Sequence, residues 1–283
     1  MTSNSSPFKA VALDLDGTLL NTQHQMSPEN ISVLKALHHQ GVKVIIASGR
    51  STSTLLTACK ALDFPFSFVS YNGSYLVEKE EGEWQPRLSI HINPNDVEKI
   101  IDLADQYGLF LNLYTDDGLV GYQKEGHYTR SEFYIQQTQS DYLEFTQDRT
   151  RLPKEGVIKL LAITSIEKRD FYFQKLEGTL KKSCHIFKSN PEYIEFTSLG
   201  VTKATGLKKW CEIHQTSIQQ VVAMGDAEND LEMLRAVGKG IAVKNASPGL
   251  KKDFKTISDW TNNEFAVLRE LNRLFSLGIK EPV

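Results

Sequence analysis

The sequence predicts an α/β protein, a parallel-sheet core interrupted by an α+β insert. Three observations carry this reading. Short apolar runs alternate with helical stretches early in the chain, the same texture returns near its end, and a hairpin-like stretch lies between. The 283 residues are 40% apolar and 24% charged, enough to bury a core in one large or two smaller domains.

Residues 8–14 (FKAVALD) are nearly all apolar, as expected of a parallel strand covered on both faces. SPENISVLKALHHQG follows as a helix, with Ser27 as cap, Pro28 at the first helical position and Gly41 as stop. VKVIIAS is the second buried strand, SGRSTSTLLTACKAL leads into a second helix, and FSFVSYN is a third strand ended by Asn72-Gly73. The texture then changes. SYLVEKEEGEWQPRLSIHI reads as a hairpin with a charged turn, and NPNDVEKIIDLADQYG as a helix entered through Asn-Pro. LFLNLYT and LVGYQ are strand candidates, and an aromatic, Gln-rich stretch to about Asp148 has no assignment. VIKLLAIT, the helix EKRDFYFQKLEGTLKK, SCHIFKS and YIEFT complete an insert with one open sheet. Parallel-sheet texture then resumes with the helix VTKATGLKKWCEIHQ, the strand IQQVVAMGD, the helix AENDLEMLRAVG and the short strand KGIAV. The expected division is a Rossmann-like core of residues 1–82 and 196–283 around an α+β cap of residues 83–195.

Composition removes several functional classes. With 32 basic and 35 acidic residues the net charge is −3, which argues against a general nucleic-acid or membrane-surface binder. The apolar runs at 42–47 and 157–163 are far shorter than a bilayer span. MTSNSSPF lacks the basic patch and apolar core of a secretory signal and reads as a short disordered lead. Cys59, Cys184 and Cys211 are odd in number and widely spaced, so neither a disulfide framework nor a thiolate zinc site is favoured. Buried thiols in a reducing cytoplasm are the expectation.

Chemistry concentrates at the ends of three parallel strands, where open α/β sheets bind ligands. Asp14 and Asp16 follow the first strand, Ser48, Gly49 and Arg50 the second, and Asp226 the strand VVAMG, with Asn229 and Asp230 just beyond. Each has a plain structural alternative. Asp16-Gly17 is a common turn pair, Ser48 could cap the next helix, Asp226 could cap another, and Lys203 could be a solvated helix lysine. Their coincidence on one sheet edge favours a site. Two acids at the mouth of a buried strand cost free energy unless a positive charge lies between them. Magnesium suits a few carboxylates with water and phosphate oxygens, a carboxylate can attack phosphorus, and a second carboxyl can move protons. Neither G-x-x-x-x-G-K-S/T nor G-x-G-x-x-G occurs, which leaves a nucleotide-phosphate cradle of either kind unsupported.

DLDGTLL (14–20), ASGR (47–50), SYNG (70–73), GVTK (200–203) and GDAENDLEML (225–234) together resemble the haloacid dehalogenase-like phosphohydrolases. The similarity is to the Cof-type branch, which carries a large cap inserted after the third strand. The resemblance implies Asp14 as nucleophile and Asp16 as general acid/base. It implies Mg2+ held by Asp14, the Asp16 backbone carbonyl and Asp226. Leu15 N–H, Ser48, Gly49 and Asn229 would contact phosphate, Lys203 would bridge phosphate and nucleophile, and Asp230 would orient the metal-bound water or Lys203. The family usually writes its lysine motif K-G-x-A-L; this chain has Lys203-Ala204-Thr205-Gly206-Leu207, a departure that bears on helix packing. His127, Tyr128, Arg130 and Tyr134 in the insert are candidates by polarity alone. The expected function is phosphate release from a small phosphorylated metabolite, sugar phosphates first, in the cytoplasm, with the cap closing over the substrate. A phosphomutase or phosphotransferase using the same aspartyl-phosphate, and a catalytically silent phosphate sensor, are the alternatives.

Overall fold

The computed structural model describes residues 6–125, 142–189 and 191–282. In chain order the elements begin with β1 (Ala10–Leu13), α1 (Pro28–His39), β2 (Lys43–Ala47), α2 (Thr52–Ala58), β3 (Ser67–Ser70), β4 (Tyr75–Glu80) and β5 (Glu83–Ser89). Next come α3 (Pro94–Tyr107), β6 (Phe110–Thr115), β7 (Leu119–Tyr122), β8 (Tyr142–Thr146), β9 (Val157–Ile163), α4 (Ile166–Leu180), β10 (Cys184–Lys188) and β11 (Tyr193–Ser198). The last are α5 (Lys203–Ile213), β12 (Val221–Gly225), α6 (Leu231–Ala236), β13 (Lys239–Ala242), α7 (Pro248–Asp253) and α8 (Ala266–Phe275). The chain forms two compact units, Met1–Leu88 with Thr202–Val283, and Ser89–Val201.

The first unit is built on a sheet of order β13-β12-β1-β2-β3-β4-β5. β1 lies parallel between β12 and β2, with Leu13 opposite Met224 and Ile46, and all four of its residues are buried. β4 alone is antiparallel to its neighbour β3 among the pairings from β13 to β4. Crossovers leave β1 toward β2 on one side, and the chain returns to β12 on the other. That reversal opens a crevice at the carboxyl ends of these strands. Ser27 accepts the Asn30 N–H at 3.1 Å to cap α1, Pro28 occupies its first turn, and Gly41 ends the connection at φ +81°.

The second unit has a six-stranded sheet of order β10-β11-β9-β6-β7-β8, with β9 central and buried along its whole length. Apolar residues of α3 and α4, among them Ile100, Ala104, Leu176 and Leu180, share a core with Leu111, Leu113, Leu160 and Phe196 of the sheet. Gly108 closes α3 in the left-handed conformation that glycine adopts without strain.

The compact second unit runs from Ser89 to Val201, later at both ends than the expected 83–195. β5 hydrogen-bonds at the edge of the first sheet, where Pro86 is tolerated, and β11 belongs to the second sheet. β8 is a strand within the stretch left without assignment; it pairs in parallel with β7 across a register irregularity. All three cysteines are buried free thiols, and burial pushes Cys59 and Cys184 up to about 12. Among the described residues no helix is long and apolar enough to cross a membrane.

Candidate active site

The crevice in the first sheet gathers the chemistry. β1 ends at Leu13, and the Asp14 N–H still donates to Met224 O at 2.9 Å, so the ladder fixes the Asp14 backbone. After it the chain leaves the sheet in a tight turn. Asp16 is extended, Gly17 has φ +74°, and the Leu20 N–H closes on Leu15 O at 2.8 Å. A Cβ on Gly17 would collide with the Asp226 carboxylate, so glycine lets the β1 turn and the β12 turn approach each other. Asn245, just past β13, donates to Gly17 O at 2.8 Å and pins the turn from outside.

β12 delivers Asp226 and, four residues on, Asp230. The Asp230 Oδ2 accepts the N–H groups of Asp226 and Ala227 at 2.9 and 3.0 Å, which tightens the turn into α6. Gly225 makes room for it, since a Cβ there would lie 2.5 Å from Asp230 Cγ. Lys203 opens α5, where the Thr202 N–H donates to Thr205 Oγ1 at 3.1 Å. That bond uses the threonine of the departing motif. A Cβ on Gly206 would meet Val69 Cγ1 at 2.5 Å, so the K-A-T-G order keeps a glycine where α5 presses on β3. Lys203 is 1% exposed, and its Nζ donates to Asp14 Oδ1 and Asp230 Oδ1, each at 2.6 Å. It is no solvated lysine.

β2 ends in the loop Ser48-Gly49-Arg50. Ser51, rather than Ser48, accepts the Thr54 N–H and caps α2. Ser48 is buried, and its Oγ accepts the Arg50 N–H at 3.2 Å. Asn72, left-handed at φ +55°, donates its N–H to Ser48 O at 3.0 Å and accepts Asn229 Nδ2 at 2.9 Å. Asn72 therefore ties the β2 loop to the β12 turn. Leu15, the third residue of this edge, is fully buried by its side chain.

Charge at this point is unbalanced. Asp14, Asp226 and Asp230 each offer a carboxylate oxygen within 4.8 Å of the others, and one ammonium faces them. Burial raises Asp14 well above the carboxylate range; Lys203 opposes this, and Asp230 and Asp226 add to it. Burial and Asp230 push Asp226 up to about 6. Burial disfavours the Lys203 ammonium, yet Asp14 and Asp230 outweigh burial and its pKa is raised. Three acids around one base, all with oxygen donors, suit a hard divalent cation. Both Asp230 oxygens already accept protein donors, so the Asp14 and Asp226 carboxylates are the side chains best able to hold one.

Asp14, Asp226, Asp230 and Lys203 are thus in mutual reach, and Ser48, Gly49 and Asn229 are joined through Asn72: a Cβ on Gly49 would lie 3.0 Å from Asn72 Oδ1. The Asp16 side chain turns elsewhere, to Arg50. Sequence reasoning assigned no role to Arg50, Asn72 or Asn245. The strand-end rule already places Arg50 after the second strand, and Asn72 lies in SYNG; Asn245, three residues past β13, is the one that the same rule could have added. His127, Tyr128, Arg130 and Tyr134 lie outside the described residues.

The family model of the haloacid dehalogenase-like hydrolases matches residues 11–271. The chain belongs to that family. A 5-amino-6-(5-phospho-D-ribitylamino)uracil phosphatase of Bacillus subtilis, YcsE, is 28% identical over 265 residues, covering 93% of this chain and 94% of its own. The pyridoxal phosphate phosphatase YbhA of Escherichia coli is 25% identical over 252 residues, 86% of this chain and 90% of its own. A crystal structure from Thermotoga maritima superposes with a TM-score of 0.80 at 28% identity, over 94% of this chain and 97% of that one. Matches of this extent include the inserted unit as well as the core, as the Cof-type resemblance requires. This haloacid dehalogenase-like hydrolase is an enzyme, and its relatives named above are phosphatases.

Proposed function

We propose that the enzyme is a cytoplasmic, magnesium-dependent phosphatase that hydrolyses small phosphorylated metabolites, sugar phosphates first among them, through an aspartyl-phosphate on Asp14. One observation carries the reading: Asp14, fixed at the end of β1, is held by Lys203 at 2.6 Å beside the buried Asp230 and the half-buried Asp226. The substrates in the relatives' names, a ribityl phosphate on a pyrimidine and pyridoxal phosphate, are small phosphate esters of the same kind.

In this mechanism the Asp14 and Asp226 carboxylates and the Asp16 carbonyl would hold Mg2+, which would supply charge neutralisation for the phosphoryl oxygens. Lys203 opposes the burial that favours the neutral form of Asp14 and offers its ammonium to the phosphate. Ser48 Oγ, whose lone pair takes the Arg50 N–H, has its own hydrogen to donate to a phosphate oxygen, and the N–H groups of Leu15 and Gly49 add donors. Asp14 attacks phosphorus while the ester oxygen leaves with the bonding pair and takes a proton from Asp16. Water then attacks the phosphorylated Asp14, giving its proton to Asp16. Asp230 keeps Lys203 in place throughout.

A phosphate-release screen over sugar phosphates, nucleotides, pyridoxal phosphate and other metabolites, with magnesium and with EDTA, tests the class. Release that requires magnesium and disappears in Asp14→Asn, with the far-UV spectrum unchanged, is the expected result. Parent-like hydrolysis by Asp14→Asn would end the nucleophile assignment. A hexose phosphate isomerised without free phosphate would turn the reading into a mutase.

A further inference from the structure

Three consecutive residues after β3 hold left-handed backbones: Tyr71 at φ +49°, Asn72 at +55° and Gly73 at +102°. Two of them are not glycine, and a side chain in that region costs strain that the surroundings must hold in place. This turn is where three strand-end segments of the crevice meet. The Tyr71 and Asn72 N–H groups donate to Arg50 O and Ser48 O at 3.1 and 3.0 Å, so the loop after β2 hangs on the turn, with Gly49 between the two bonds. Gly73 lies against the start of α5, where a Cβ would collide with Thr202 O and stand 3.1 Å from Lys203 N. The Asn72 side chain supplies the third tie, to Asn229 in the turn after β12.

That tie joins unequal partners. Asn72 is buried, with its amide against the bare Cα of Gly49, whereas Asn229 is exposed. An exposed asparagine by itself samples several rotamers and turns its amide either way up. Asn72 Oδ1 accepts one Asn229 Nδ2 hydrogen at 2.9 Å, which stops the amide turning over and leaves its second hydrogen for an anion. We propose that Asn72 is a positioning residue of the phosphoryl pocket, holding the Asn229 amide and the Ser48-Gly49 loop in register for one phosphate. The inference rests on the phosphate contacts read above for Ser48, Gly49 and Asn229. Asn72 acts through them and takes no part in the bond changes at phosphorus.

Asn72→Gly separates side chain from backbone, because glycine accepts φ +55° and keeps the N–H that Ser48 O receives. The probe is inorganic phosphate, titrated by calorimetry into the full chain with saturating magnesium, beside kcat/KM for p-nitrophenyl phosphate and a hexose phosphate. Asn72→Gly and Asn229→Ala should each weaken phosphate binding by about tenfold, the lower end for a hydrogen bond to a charged group. The double variant should match the weaker single variant within about twofold, since the two amides act as one unit. A turn that had merely loosened would instead multiply the Asn229→Ala loss. kcat/KM should fall by one common factor for both esters, because the phosphoryl group is what they share. Unchanged phosphate binding in Asn72→Gly, losses that multiply in the double variant, or a fall confined to one ester would overturn the proposal. A parent chain that binds no phosphate in magnesium overturns it as well. Coupled losses of phosphate binding in a chain that releases phosphate from no ester would keep it and remove the phosphatase reading instead.

Discussion

Lys203 stands between two carboxylates where water does not reach, with Nζ 2.6 Å from Asp14 Oδ1 and from Asp230 Oδ1. Desolvating an ammonium and two carboxylates is expensive, and the arrangement persists because each charge has a partner at hydrogen-bonding distance. Removing the lysine leaves two buried acids facing each other. Lys203→Met should therefore lower the unfolding free energy by roughly 3–5 kcal/mol, the range for breaking a buried pair from one side. Urea denaturation measures it. Adding Asp230→Asn should return part of that loss without restoring activity, because the repulsion is relieved while Asp14 still lacks its cation. If the double variant were no more stable than Lys203→Met, the loss would come from packing rather than charge.

At the scale of elements, the turn after β1 decides how closely two strand ends can meet. Gly17 at φ +74° lets the chain fold against Asp226, and no other residue fits both the backbone angle and the space. Gly17→Ala should cut magnesium-dependent turnover by about 10²-fold, since displacing catalytic groups by an ångström costs that order, while stability falls by about 1–3 kcal/mol for the left-handed backbone. Steady-state kinetics beside a thermal melt separates the two effects; a variant with parent-like kcat would show that the close approach is unimportant. The same element explains what was legible in the sequence. FKAVALD and VVAMGD announce themselves because a parallel strand buried on both faces must be apolar until it meets the site. The acids at those strand ends stand out against that background. Arg50 meeting Asp16 was not legible, because 34 residues and a choice of rotamers separate them. β8 was hidden for another reason. YLEFT alternates exposed and half-buried residues at a sheet edge, so burial leaves little mark on its composition. The boundary at Ser89 was equally concealed, since a charged hairpin turn looks like the edge of a domain when it is only the edge of a sheet.

The whole chain carries a net charge of −3, yet the proposed substrate is an anion. Attraction must then be local, and at the site three carboxylates outnumber Lys203. The cost of that excess has a pH dependence whose sign follows from Asp226, which burial and Asp230 push up from 3.8 to about 6. Between these values the metal-free folded protein holds a proton that the unfolded chain has released, so stability falls as pH rises through the window. Below it both states are protonated and the Asp226 share of the penalty vanishes; above about 6 that share is complete, and Asp14, also raised, adds its own in the same direction. Mg2+ competes for the same oxygens. Saturating magnesium should accordingly raise the melting temperature more at pH 7.5 than at pH 5. At a concentration 100-fold above Kd the linkage is about 2.7 kcal/mol, or several degrees for a chain of this size. Asp226→Asn should flatten the pH dependence of the metal-free protein and remove most of the magnesium shift. Differential scanning fluorimetry at the two pH values, with magnesium and with EDTA, reads both. A magnesium shift of equal size at both pH values would mean that protons and metal do not share Asp226.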